Sequence, residues 1–272
     1  MKIIQNKLVA EAGDPAINFK QTPNHGGTIT PKFLIMHYTA GASKGSSVSW
    51  LTNPIAKASA HLVIGRDGSI TQLAAFNVST WHAGVSRWFN IVGLNSHSIG
   101  IELDNAGRMR KVGNKWQGVG GKFYADADVM VARHKHEDTS TGWHAYTEKQ
   151  LASAFEVAQL LLSHYNLKDV LGHEDIAPFR KSDPGPAFAM ESFRARLLGR
   201  HDDTGDIRKT NKANTNLRSI PSIENNTPIK ALPLNTKVEV VQVEADWAYV
   251  FVIANIAGLR EKYGWVHMSL LS

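Results

Sequence analysis

The sequence predicts an α/β domain followed by a small all-β domain, and three observations carry that prediction. Short apolar runs ending in polar residues recur at Lys32 to Tyr38, His97 to Asp104 and Asp169 to Gly172, the pattern of buried strands. One longer stretch, Thr147 to Tyr165, repeats its apolar residues at helical spacing. Beyond a hydrophilic stretch near residues 200–212, the chain turns to short alternating segments separated by turn residues. The expected division is a first domain at 1–203, a linker at 204–212 and a second domain at 213–272.

At 272 residues, 43% of them hydrophobic, the chain can bury a sizeable core in each part. A net charge of +6 suggests attraction to an anionic surface: nucleic acid, membrane or an anionic wall polymer. The charge is spread evenly, without the basic run or aromatic interleaving of a nucleic-acid binder, so nucleic acid is not an expected partner. No stretch is long and apolar enough to insert in a membrane, and the first residues lack the apolar run of a signal peptide. The expectation is a monomer made in the cytoplasm without a classical leader. With no cysteine, disulfides are excluded and any metal must be held by His, Asp or Glu.

Residues up to about Thr30 read as an extended polar lead-in. KFLIMHY (Lys32 to Tyr38) then forms a strand that leaves the sheet at His37, placed to face a cleft, although taken alone it reads as a core histidine. A helical turn is expected at Val48 to Leu51. Arg66-Asp67-Gly68 joins two strands as a hairpin, and His61 on the first of them reads equally as a buried histidine or a substrate contact. Trp81 lies in WHAG, a loop that is either cleft wall or ordinary packing. In HSIGIELD (His97 to Asp104), Ile99, Ile101 and Leu103 share one face while Gly100 and Glu102 share the other. A carboxylate beside a position with no side chain suggests a crevice; alone, it reads as a solvated glutamate.

From Asn105 to Tyr146 periodicity is lost. The cluster His134-Lys135-His136-Glu137-Asp138 reads as a solvated loop rather than a metal site, since nothing there fixes its geometry. Thr147 and Gln150 form a capping-box pattern that opens the long helix. Asp169 to Gly172 delivers His173 as the earlier strand delivers His37. In GHEDIAPFRKSDPGPAF (Gly172 to Phe188), Pro178, Pro184 and Pro186 deny regular hydrogen bonding, so a stiff loop is expected. It carries an imidazole at His173, an ammonium at Lys181 and a carboxylate at Asp183. That is part of a metal site, and a zinc hydrolase would draw a third ligand from elsewhere in the chain. Phe188 to Leu198 reads as a helix closed by Gly199.

The ordered words HY at His37, SAHLVIGRDGSITQL, WHAGVS, NSHSIGIEL and GHEDIAPFRKSDPGPAF together resemble the zinc-dependent N-acetylmuramoyl-L-alanine amidases of the type-2 amidase family, over about Phe33 to Leu198. The resemblance implies a mixed central β-sheet flanked by helices. It implies His37, His173 and Asp183 as ligands to Zn2+, Glu102 as catalytic acid/base and Lys181 as the cation facing the oxyanion. Tyr38, His61, Trp81, His82 and Asn95, which lie in the shared words, are expected to contact a peptidoglycan fragment. The later segments NLRSIPS, TKVEVV and YGWVHMSLLS resemble a bacterial SH3-like barrel, which implies cell-wall binding. The implied activity is cleavage of the amide between N-acetylmuramic acid and L-alanine, in a lysin released by a holin or an effector delivered without a leader. The competing reading, a peptidoglycan-recognition module that does not cleave, is disfavoured because such binders lack a ligand or the acid, and this chain keeps all five residues.

Overall fold

The computed structural model describes residues 1–178, 180–199, 206–224, 228–254, 256–259 and 263–272, which fall into two compact units, residues 1–200 and 201–272. The first is organised on a six-stranded sheet in the order Asp169–Gly172, Phe33–Tyr38, Ser98–Leu103, Leu62–Ile64, Ile70–Gln72, Ile17–Phe19. The first four strands run parallel, while Ile70–Gln72 is antiparallel to its neighbour and takes Ile17–Phe19 along in parallel. The sheet is therefore mixed, as expected. The hairpin at Asp67-Gly68 forms where the sequence places it, with Gly68 at φ +85°, a conformation that suits glycine.

Alternation decides the two faces of this sheet. Leu34, Met36, Ile99, Ile101, Leu103, Leu62, Ile64 and Val170 pack with Ala154, Val157, Ala158 and Leu161 of the helix Glu148–Tyr165. The helix Met190–Leu198 joins this core through Phe193, whose ring meets Phe155 and Phe188. Each fully buried side chain of this kind contributes about 1.5–3 kcal/mol by leaving water. His37 and Glu102 alternate with the core residues and so point away from the helices. Thr147 caps the long helix through Gln150 N–H at 3.2 Å, but Gln150 turns its amide inward to the carbonyls of Ile64 and Asp104. The expected capping box is thus only half made.

Three stretches differ from the sequence reading. Residues before Thr30 are not an unstructured lead-in: Lys2–Ile4 pairs with Lys7–Val9, and His25–Thr28 pairs with Val78–Thr80. The stretch 105–146, read as aperiodic, forms a five-stranded antiparallel sheet in the order Phe123–Tyr124, Lys115–Gln117, Arg108–Val112, Ser140–His144, Val129–Arg133. Its buried hydrophobic residues, Met109, Trp116 and Trp143, are single large side chains between polar, charged or glycine neighbours, which dilutes any run of apolar residues. The proline-bounded loop also opens differently, since His173–Ile176 is a short helix ahead of Pro178.

The second unit holds a four-stranded antiparallel sheet, Asp206–Lys209, Lys237–Glu244, Trp247–Val252, Tyr263–His267, and a ribbon of Thr215–Leu217 with Lys230–Leu232. Leu217, Leu232, Val238, Val250, Val252 and Val266 form its core. The expected linker at 204–212 is corrected in part. Residues 206–209 are a strand paired with Lys237–Val240, and Thr210 bridges to Leu271. Polar composition mimics a linker there because a short edge strand needs few apolar residues. Residues 201–205, with the expected boundary at 203, lie outside the described residues.

Candidate metal centre and catalytic cleft

Three segments bring the ligand-type residues together. His37 ends one strand, His173 directly follows the neighbouring strand, and Asp183 is drawn back by a hydrogen bond from Glu174 N–H to its carbonyl at 2.8 Å. His37 Nδ1 lies 2.9 Å from His173 Nδ1 and 2.9 Å from Asp183 Oδ2, and His173 Nδ1 lies 3.0 Å from the same oxygen. All three side chains are buried. Among the described residues, no other group of three His, Asp or Glu side chains converges in this way.

Hydrogen-bond accounting says which nitrogens carry protons. The Ser98 hydroxyl donates to Leu94 O at 2.6 Å, so its oxygen accepts His82 Nε2–H at 3.2 Å. His82 Nδ1 is then bare and accepts His37 Nε2–H at 3.0 Å, which leaves His37 Nδ1 without a proton. His173 Nε2–H donates to Ala83 O at 3.1 Å, leaving its Nδ1 bare as well. Burial keeps the His37 and His82 rings neutral: it lowers His37 to about 4, with the nearby His173 adding to the effect, and takes His82 well below 6.5. Asp183 feels burial in the opposite sense, yet hydrogen bonds and charge from His173 and His37 hold it below 3.8. Two bare nitrogens and a carboxylate within 3.0 Å of one another repel unless a cation sits among them. The donor set fits a divalent ion such as zinc, and backing of each imidazole through its other nitrogen is the usual support for such a ligand.

Beside this triangle stands Glu102. Its strand pairs in register with the His37 strand, Glu102 opposite His37 and Gly100 opposite Ile35. Among the described residues its Oε2 has no hydrogen-bond partner although it is shut off from solvent. Burial, reinforced by the Asp183 charge and opposed by Lys181, raises this carboxyl from 4.5 to about 8. Lys181 is half-buried two residues before Asp183. The side-chain-free position at Gly100 is filled: a Cβ there would sit 2.5 Å from the His82 ring. Glycine is needed so that His82 can reach His37.

The residues expected to contact substrate divide. Tyr38, next to His37 with its hydroxyl 3.0 Å from Ser182 Oγ, and Trp81, next to His82 and 38% exposed, keep surface open to solvent. His61 and His82 do not. His61 is fully buried with both ring nitrogens engaged, by Val78 O on one side and Thr80 Oγ1 and Gly100 N–H on the other. Asn95 Oδ1 accepts Ala83 N–H at 2.7 Å and shapes the loop that backs His173. In the two histidines the need to satisfy a buried polar group outweighs exposure to a ligand, whereas Asn95 is half-buried.

Other residues of the site had no signal in the sequence. Arg180 Nη2 donates to the carbonyls of Ala83 and Val85, both at 2.7 Å, tying the WHAG loop to the ligand loop. The His134 cluster is not a solvated loop. His134 is buried and meets Glu174 Oε2 at 2.6 Å, His136 reaches Glu174 O, and Lys135 pairs with Glu174 and Asp175. It braces the turn that starts at His173. A histidine next to a lysine reads as surface because its buried acidic partner lies 40 positions away.

A family model described as N-acetylmuramoyl-L-alanine amidase matches residues 27–186. N-acetylmuramoyl-L-alanine amidase AmiD of Escherichia coli is 30% identical over 182 residues, 63% of this chain and 55% of that protein. The 1,6-anhydro-N-acetylmuramyl-L-alanine amidase AmpD of the same organism is 34% identical over 140 residues, 51% of this chain and 57% of that protein. The chain thus spans somewhat over half the length of these relatives. Among solved structures, the complex of E. coli AmiD with anhydro-N-acetylmuramic acid-L-Ala-D-γ-Glu-L-Lys is 27% identical, covers 71% of this chain and 61% of that one, and has a TM-score of 0.47.

Proposed function

Since this chain belongs to the N-acetylmuramoyl-L-alanine amidase family, we propose that it hydrolyses the amide joining the lactyl group of N-acetylmuramic acid to L-alanine in peptidoglycan. The observation that carries the reading is the pairing of two deprotonated Nδ1 atoms and one carboxylate with an unpartnered buried carboxyl on the adjoining strand. A recognition module without chemistry has no use for Glu102, since an isolated buried carboxyl is costly and carries no shape.

His37, His173 and Asp183 would hold zinc, which when bound supplies a Lewis acid that polarises the scissile carbonyl and acidifies water. The rest is the work of side chains. Glu102, with a pKa raised to about 8 by burial, is a competent base near neutral pH. It takes a proton from the attacking water and returns it to the alanine nitrogen as the C–N bond breaks. Lys181 places its ammonium near the charge that grows on the amide oxygen, a contribution of roughly 3–4 kcal/mol for one well-placed donor. His82, Ser98 and Ala83 keep the imidazoles in the tautomer the ion requires. The second unit, whose all-β sheets are compatible with an SH3-like barrel, serves to hold the enzyme on the wall.

Mass spectrometry of digested peptidoglycan tests this directly. The expected products are free stem peptides beginning with L-alanine, lost on chelation and restored by zinc. Binding of muropeptides without such products would leave the recognition reading in its place.

A further inference from the structure

Asp183 supplies the one negative charge of the ligand triangle, yet it sits between the short helix His173–Ile176 and the helix Met190–Leu198, outside both. The residues around it are held bond by bond from different parts of the fold. Ser182 Oγ meets the Tyr38 hydroxyl at 3.0 Å, Asp183 O accepts Glu174 N–H at 2.8 Å, and Gly185 N–H reaches Glu174 Oε2 at 3.3 Å. Pro184 has no N–H to give. Its carbonyl accepts the Tyr146 hydroxyl at 2.8 Å and has no other partner among the described residues.

Tyr146 is itself anchored on both sides. It stands between the strand Ser140–His144 and the helix Glu148–Tyr165. Ala145 N–H donates to Asp128 O at 2.9 Å, Ala145 O accepts Arg66 Nη1–H at 2.9 Å, and Thr147 Oγ1 donates to Arg66 O. Its ring lies edge-on to Phe188, with 5.5 Å between centroids, against the core of the central sheet. A phenol fixed at backbone and ring holds its hydroxyl in one place. The chain it holds is short of other constraints. Gly185 follows Pro184 at φ +73°, and a Cβ there would lie 2.8 Å from the Trp143 ring, so no side chain can stiffen that position.

We propose that Tyr146 is a positioning residue of the metal centre: its hydroxyl, through Pro184, sets where the Asp183 carboxylate stands relative to the two imidazoles. The proposal rests on the reading of this triangle as a zinc site and adds no group that touches substrate. Partners one bond beyond a metal ligand alter affinity by roughly 10–100-fold, and Tyr146, acting through the backbone, belongs at the lower end.

Competition with a chelator tests it on the full chain in wild type, Tyr146→Phe and Tyr165→Phe. Phenylalanine at 146 keeps the ring on Phe188 and removes only the hydroxyl. Tyr165→Phe is the control: it also loses a hydroxyl bond, to Asn6 Oδ1 at 2.8 Å, but at the other end of the long helix. Zinc affinity should fall roughly tenfold in Tyr146→Phe and hold in Tyr165→Phe, and the visible spectrum of the cobalt-loaded chain should change in the first alone. Unchanged zinc affinity or an unchanged cobalt spectrum in Tyr146→Phe overturns the proposal. An equal fall in both variants does so too, since it marks a general loss of stability, and a wild-type chain that binds no zinc removes the centre itself. Muropeptide cleavage is scored separately: with the expected affinities and no cleavage by wild type, the role of Tyr146 stands and the amidase reading falls.

Discussion

A carboxyl oxygen with neither solvent nor a donor favours the protonated group or a proton that needs moving, and Oε2 of Glu102 is such an atom. Glu102→Ala should leave the metal bound, measured by elemental analysis, while turnover falls at least roughly 100-fold, the lower range for a general base. Turnover near wild type would mean another group handles the proton. Its titration gives an independent readout. Unfolded, the carboxyl titrates near 4.5; folded, burial raises it to about 8, so folding between those values takes up a proton. The native state is free of this penalty below about 4.5 and loses stability as the pH climbs to about 8. Without metal, Glu102→Gln should therefore match wild type in melting temperature near pH 4.5 and exceed it at pH 8. Coincident melting curves across that range would show the carboxyl to be solvated. His82 acts through His37 rather than on substrate, so His82→Ala should weaken zinc affinity by roughly 10–100-fold in competition with a chelator. Unaltered affinity would mean that His37 needs no backing.

At the scale of elements, two parallel strands set the chemistry and a third braces it. The Phe33–Tyr38 and Ser98–Leu103 strands place His37 opposite Glu102 because register aligns them residue for residue, and Asp169–Gly172 adds His173 from the other side. A one-residue slip would turn Glu102 into the helix-facing core. The five-stranded sheet bears on the same loop through the buried His134 and Glu174. His134→Ala removes one of the partners of the buried Glu174 carboxylate, leaving it Lys135 and Gly185 N–H, and chemical denaturation should show a loss of about 1–3 kcal/mol. A loss indistinguishable from zero would make the contact incidental. These strand ends were legible, because an apolar run ending at a histidine needs only a few residues to be seen. The five-stranded sheet was not, because its exposed positions mix charged residues with apolar ones such as Val112, Phe123, Met130 and Val131, and a period cannot be read from isolated tryptophans.

For the whole molecule, the two units have separate cores, which makes their functions separable by truncation. Removing residues from 205 onward should weaken retention on sacculi in a pull-down yet spare cleavage of soluble muropeptides. Undiminished retention would reduce the second unit to a spacer. No helix among the described residues is long and apolar enough to cross a membrane.

Sequence alone determined the mixed sheet and its long helix, the division into two parts, and the set His37, His173, Asp183, Glu102 and Lys181 as candidates. Each of these follows from short-range periodicity or from words that stand in order along the chain. Tertiary structure alone decided that three of the five share one small space, and that His61 and His82 are spent inside the protein. It also turned a charged cluster at His134 into a buried brace. The physical reason is common to all of these: whether a polar side chain faces ligand or protein depends on its hydrogen-bond partner, and here those partners lie 10 to 146 residues away.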